Sequence, residues 1–226
     1  MKLQWFSLIF SGLLFGCASG NKVTTAFTDG YPDIWWQTLP EDQIASWEIP
    51  PQAAHREKYE VVLSKRNELG QFSNLQAAKF YLDGEFYESV EGLWQSMKYP
   101  EDKNDERMKN PAVIWAFTRE QVTKLSGFEA KRAGDLASAN MKTLGITWVT
   151  YKGHKIDYTG KESTQHYDLI LRACRSKLAA HPELVELLRR TEKLSLMADH
   201  KQKPDSPPAY KYHEIYMKIR SELPPL

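Results

Sequence analysis

The chain has 226 residues, 42% of them hydrophobic, which suits one domain with extensions and a sizeable core. Its formal charge is +1 and no basic run is present, so an extended nucleic-acid surface is not indicated, although a few local cations suffice for a small nucleotide-like ligand. The two cysteines, Cys17 and Cys174, leave no disulfide once the first is taken up in the leader.

Residues 1–17 read as a secretory leader. Lys2 supplies a positive start, and Trp5 to Phe15 is an apolar run too short to span a bilayer. Leu14-Phe15-Gly16-Cys17 is similar to a bacterial lipobox, which predicts lipidation of Cys17 and anchoring to the cell envelope. Ala18 and Ser19 carry no acidic retention signal, so an outer membrane is the expected destination where the cell has one. The alternative is an uncleaved hydrophobic N-terminus. Residues 18–58 are a tether followed by a Trp/Pro-rich stretch, of which Trp35 to Pro51 is expected to pack onto the domain at 59–226.

Within that domain Val61, Val62 and Leu63 predict a short buried strand. Phe80-Tyr81-Leu82 and Glu85-Phe86-Tyr87 flank Asp83-Gly84, a hairpin signal. A helix follows, with Ser89 as N-cap, Val90, Leu93, Trp94 and Met97 as one buried stripe, and Pro100 beyond its end. Glu91, Gln95 and Lys98 form a second stripe beside the first. From the residues alone this stripe is either a helix edge with an ordinary ion pair or a polar constellation at a site.

Further helical patches lie at Arg119 to Leu125 and Phe128 to Leu136, with Gly134 inside the second where close packing explains it. Trp148 to Tyr151 and Lys155 to Tyr158 predict two extended segments around Gly153. Trp148 is readable as a core residue or as a platform for a flat base. Helices are expected from Tyr167 to Leu178, which buries Cys174, from Pro182, and again from Tyr212 to Leu223. The six histidines are scattered without metal-ligand spacing, so no metal site and no cofactor are expected.

Gly70-x-Phe72-Ser73-Asn74, Asp83-Gly84, Glu91-x-x-x-Gln95-x-x-Lys98, Ala130-x-x-Ala133-Gly134, Trp148 and Tyr216-Met217-x-Ile219-Arg220 together resemble the NADAR family, also called YbiA-like proteins. The resemblance runs roughly from Val61 to Leu223. It implies a mainly α fold with a small β element, and N-glycosidase activity on ribosylated bases such as phosphoribosyl-aminopyrimidines or ADP-ribosylated guanine. It implies Glu91 and Lys98 as catalytic residues, and Asn74, Trp94, Gln95, Trp148 and Asp199 as substrate contacts.

Three departures stand against the pattern. Gly92 replaces a histidine after the glutamate, Asp135 replaces a basic residue after Gly134, and the segment from Leu194 to His200 lacks a glutamate and a Trp-Gly pair, leaving Asp199 as a shifted second carboxylate. N-glycoside hydrolysis is the leading expectation; the missing second carboxylate and an outward-facing location point to the alternative of a non-catalytic envelope lipoprotein that binds a nucleotide-like ligand. The partners expected are the small substrate and, through the lipid, the membrane; nothing points to a nucleic-acid or protein partner.

Overall fold

The computed structural model describes residues 30–158 and 164–224; Cys17 and the leader lie outside the described residues. At its centre is helix α1 (Val90–Ser96), whose Ser89 cap accepts the Gly92 N–H at 2.9 Å. Val90, Leu93, Trp94 and Met97 are all buried in the main core, and α1 as a whole packs against α2 (Arg119–Thr123), α3 (Gly127–Leu144) and α4 (Thr164–Ala180). Two arginines, Arg107 buried and Arg119 half-buried, satisfy carbonyls just past the end of α1, where no further intrahelical donor follows. Arg107 donates to the Met97 and Lys98 carbonyls, each at 3.1 Å, and Arg119 donates to Tyr99 at 2.6 Å and Met97 at 3.2 Å.

The β element is three separate pairs. Strand β1 (Glu60–Val62) runs parallel to β6 (Ser195–Met197), with Val61 opposite Leu196. Strands β2 (Phe80–Leu82) and β3 (Glu85–Tyr87) form the expected hairpin, whose turn residues Asp83 and Gly84 have φ of 51° and 85°. Two successive left-handed residues match the right-handed twist of the strands they join. Strands β4 (Trp148–Tyr151) and β5 (His154–Asp157) form a second antiparallel pair, and α5 (Pro182–Arg190) and α6 (Tyr212–Glu222) complete the helices, so the fold is mainly α with a small β component.

Residues from Tyr31 onward form one unit with the domain, so the stretch at 31–58 is part of it. Trp35 is fully buried in the main core and donates its indole N–H to Glu68 at 2.8 Å, while Trp36 donates to the Glu60 carbonyl at 2.8 Å. The Ile49 N–H donates to the Asp199 carbonyl at 2.8 Å, and Glu48 pairs with His200 as an isolated antiparallel bridge. Cys174 is fully buried on α4, where burial pushes its thiol up to about 11, which makes it an inert core residue.

Candidate active site

The loop carrying Asn74 is tied to α1 by the main chain, since the Asn74 carbonyl accepts the Glu91 N–H at 2.9 Å. From below, Lys177 of α4, itself fully buried, donates to the carbonyls of Gln71 at 2.6 Å and Ser73 at 3.1 Å. Burial lowers the Lys177 ammonium to about 8. This frame brings Asn74, Glu91, Trp94, Gln95 and Lys98 to one half-open cleft of about 630 Å³, a volume that accommodates a nucleoside-sized ligand.

Glu91 is half-buried, and one carboxylate oxygen accepts from Gln95 Nε2 at 2.7 Å. Burial raises its pKa above the usual carboxylate range, against the opposing pull of the Gln95 hydrogen bond and the positive charges of Lys98 and Lys131. The second oxygen has no hydrogen-bond partner among the described residues. Lys98 is 4% exposed, donates to Ser138 Oγ at 2.9 Å and lies 5.0 Å from the centre of the Tyr158 ring. This buried cation touches a hydroxyl and a ring among the described residues, and the Glu91 carboxylate is near enough to feel its charge. Such a cation favours an anionic or electron-rich ligand.

The glycines of the motif are explained by contact. A Cβ on Gly134 would stand 1.9 Å from Gln95 Oε1, so what approaches this glycine is the Gln95 side chain that holds Glu91. A Cβ on Gly92 would meet the Leu125 carbonyl oxygen at 2.6 Å, which leaves no room there for the histidine of the family pattern. Asp135, in place of a basic residue, pairs at 3.1 Å with Lys131 one turn earlier, and both reach the cleft.

Two expected substrate contacts are placed differently. Trp148 does not line the cleft. It shares a face of β4 with Thr150, and that face turns to Arg107, whose guanidinium donates to Thr150 Oγ1 at 2.6 Å and lies 5.0 Å from the Trp148 ring. Lys155 Nζ lies 4.1 Å from the centre of the same ring. Trp148→Ala is therefore expected to cost about 1–2 kcal/mol of stability through lost packing and cation–π contact, and to leave the affinity of any cleft ligand unchanged. Parallel denaturant titration and ligand titration check this; weakened binding at unchanged stability would put Trp148 back in the site.

Asp199 does line the cleft, but it is 2% exposed and its oxygens are engaged. One accepts from Tyr212 Oη at 3.0 Å and faces His200 Nδ1 at 2.8 Å, and the other is ion-paired with Lys65. It positions neighbours and is not presented to a ligand. Asp199 arrives here because β6, which precedes it, pairs in parallel with β1, which precedes Lys65.

The sequence reading did not foresee Trp47, Lys65, Lys131, Tyr158, His200 or Tyr210 in the cleft. Tyr158 and Tyr210 pack around Trp94, whose indole N–H donates to Tyr158 Oη at 3.1 Å; the Trp94 and Tyr210 ring centres are 4.8 Å apart, at 83°. His166 completes that aromatic cluster at 4.6 Å from Trp94, and burial with the nearby Lys98 charge holds it down at about 4, hence neutral. Trp47 stays 46% exposed at the rim, with Lys65 Nζ 5.4 Å from its ring centre. Periodicity within a single helix cannot reveal neighbours that come from loops far along the chain.

No family model matches the chain, and no curated protein matches it. Among solved structures, the NMR structure of the E. coli protein YbiA is similar to it, at 20% identity and a TM-score of 0.45, over 70% of this chain and 80% of that one.

Proposed function

We propose that the protein is an N-glycosidase that hydrolyses a ribosyl–base bond in a nucleotide-like or ADP-ribosylated substrate. The observation that carries this reading is Glu91: a half-buried carboxylate with raised pKa and one free oxygen, in the same nucleoside-sized cleft as the buried Lys98. Breaking a C1′–N bond develops positive charge on the sugar, which a carboxylate at that place stabilises while it receives a proton from the attacking water. Lys98 holds a phosphate or ribose oxygen, and the aromatic wall of Trp94, Tyr158 and Tyr210 supplies surface for the sugar and base. Asn74 has a buried side-chain carbonyl with no hydrogen-bond partner among the described residues, which a ligand hydroxyl would satisfy.

A second reading, a ligand-binding module without chemistry, is favoured by the engagement of Asp199, which leaves Glu91 as the free carboxylate among the described residues of the cleft. Incubation of the full-length protein with ribosylaminopyrimidines and with ADP-ribosylated guanosine, followed by chromatography for free base, separates the two. Release of base supports hydrolysis; tight binding with no release supports the module.

The lipobox-like run Leu14-Phe15-Gly16-Cys17 supports an envelope location for this chemistry, through lipid on Cys17. Cys17→Ser is expected to give an unprocessed or soluble form on fractionation. Membrane association and mobility equal to wild type would contradict the anchor.

A further inference from the structure

Hydrolysis at this cleft has a missing part. As the C1′–N bond breaks, its electron pair goes to the base nitrogen, which leaves far more readily if it is protonated as it departs. Glu91, which takes the proton of water, cannot also supply that one in the same step. Asp135 is tied to Lys131, and Asp199 is closed off by its three donors.

His200 is the group whose surroundings fit. It lines the cleft, half-buried, with Nδ1 2.8 Å from Asp199 Oδ1. Burial pushes the Asp199 carboxyl up, but the hydrogen bonds from His200, Lys65 and Tyr212 outweigh it and hold the group below its ordinary value, hence ionised. An ionised carboxylate only accepts, so Nδ1 carries hydrogen and Nε2 is the nitrogen left for the cleft. Nε2 has no hydrogen-bond partner among the described residues.

The ring is also held in place. It lies parallel to Tyr212, at 6° with centres 6.0 Å apart. Its backbone is pinned by the bridge to Glu48, and the adjoining Asp199 carbonyl by the Ile49 N–H. Lys65 on the far oxygen of Asp199 balances the carboxylate charge in a buried setting. A cleft-lining histidine oriented by a buried carboxylate, its other nitrogen without a hydrogen-bond partner among the described residues, has the arrangement of a proton-transfer dyad.

We propose that His200 is the proton donor to the departing base nitrogen, with Asp199 as its positioning residue and Glu91 as the acceptor of the water proton. This rests on the hydrolase reading above. In the step, the C1′–N bond breaks and the imidazolium gives its Nε2 proton to the base. A water oxygen bonds to C1′ and its proton passes to the Glu91 carboxylate. Exchange with solvent returns one proton to His200 and removes one from Glu91, so the cycle closes with water as the only co-reactant.

The test uses full-length protein and a ribosylated base that the wild type cleaves. His200→Ala is expected to lower base release by about 100-fold or more, with partial recovery when free imidazole is added, because a small imidazole can occupy the vacated volume and donate in its place. Asp199→Asn is expected to lose activity without responding to imidazole. His200→Gln, which keeps most of the side-chain volume, is expected to show the same loss and covers the case in which the alanine variant does not fold. Activity within about twofold of wild type in either His200 variant overturns the proposal. So does a loss in His200→Ala that imidazole does not restore while thermal unfolding matches wild type. If the wild type itself releases no base, the hydrolase reading fails and this one with it, an outcome seen before any variant is made.

Discussion

Glu91→Gln is expected to lower base release by about 10²- to 10⁴-fold, the range associated with removal of a positioned proton acceptor. The effect should come without loss of fold. Glutamine preserves the shape of the side chain and can still accept from Gln95 Nε2, the 2.7 Å contact that now holds the carboxylate. Thermal unfolding of the variant should match or slightly exceed wild type, because burial already disfavours the ionised group that is removed. The pH dependence follows from the same cause. The working form is the carboxylate, so wild-type activity is present above the raised pKa of Glu91 and is lost as pH falls through it. The acid limb should therefore lie above 4.5, the ordinary value for the side chain, and vanish from the residual activity of Glu91→Gln. A limb that persists in the variant belongs to another group.

Arg107→Ala is expected to destabilise the protein by about 3–5 kcal/mol, the cost of removing one partner from a buried ion pair. The Arg107 side chain is fully buried and the Asp105 side chain 8% exposed. The guanidinium contacts Asp105 at 2.7 and 2.9 Å, the carbonyls of Met97 and Lys98, and Thr150 Oγ1. Truncation strands the Lys98 carbonyl and leaves the Asp105 carboxylate without its charged partner, while the Met97 carbonyl and Thr150 Oγ1 keep their hydrogen bonds from Arg119. Lysine is not expected to rescue the site, because a single ammonium cannot serve acceptors spread around a planar fork.

The pair also has a pH signature. Burial pushes the Asp105 carboxyl up, but its hydrogen bonds from Arg107 and from the backbone N–H groups of Glu101 and Arg107 outweigh that and hold it at about 2. Its contribution is complete above 3.8 and is lost as pH falls through about 2, an interval worth roughly 2 kcal/mol. Denaturant titrations at neutral and acid pH measure both effects. A neutral-pH loss below about 1 kcal/mol would show that the end of α1 is held by something other than Arg107.

What the sequence displays and what it hides divide along the range of the interaction. The stripe of Val90, Leu93, Trp94 and Met97, the Ser89 cap and the Asp83-Gly84 turn are all set by neighbours within a few residues, and each forms as its spacing predicts. The grouping of Asn74 with Glu91, Gln95 and Lys98 was visible through the family resemblance, and one backbone hydrogen bond between the Asn74 loop and α1 accounts for it physically. Trp148 could not be placed in the same way. A strand presents two faces, and the choice between them is made by Arg107, a residue whose isolated position in a charged stretch gives no sign that it is buried. The parallel pairing of β1 with β6 joins segments more than 130 residues apart, and it brings Lys65 beside Asp199 and His200. Gly134 was legible as a close-packing position, but not that the group pressed against it would be the Gln95 amide that steadies Glu91.

The central claim is that Glu91 and Lys98 act on one ligand in one cleft, and a double-mutant cycle tests it most directly. Base release is measured for wild type, Glu91→Gln, Lys98→Ala and the double variant, with unfolding recorded for each. Residues that serve a single chemical step are strongly non-additive, so the double variant should be little slower than the slower single variant. Rate losses that multiply, or single-variant losses no larger than about twofold, would contradict the account and return both residues to an ordinary helix edge.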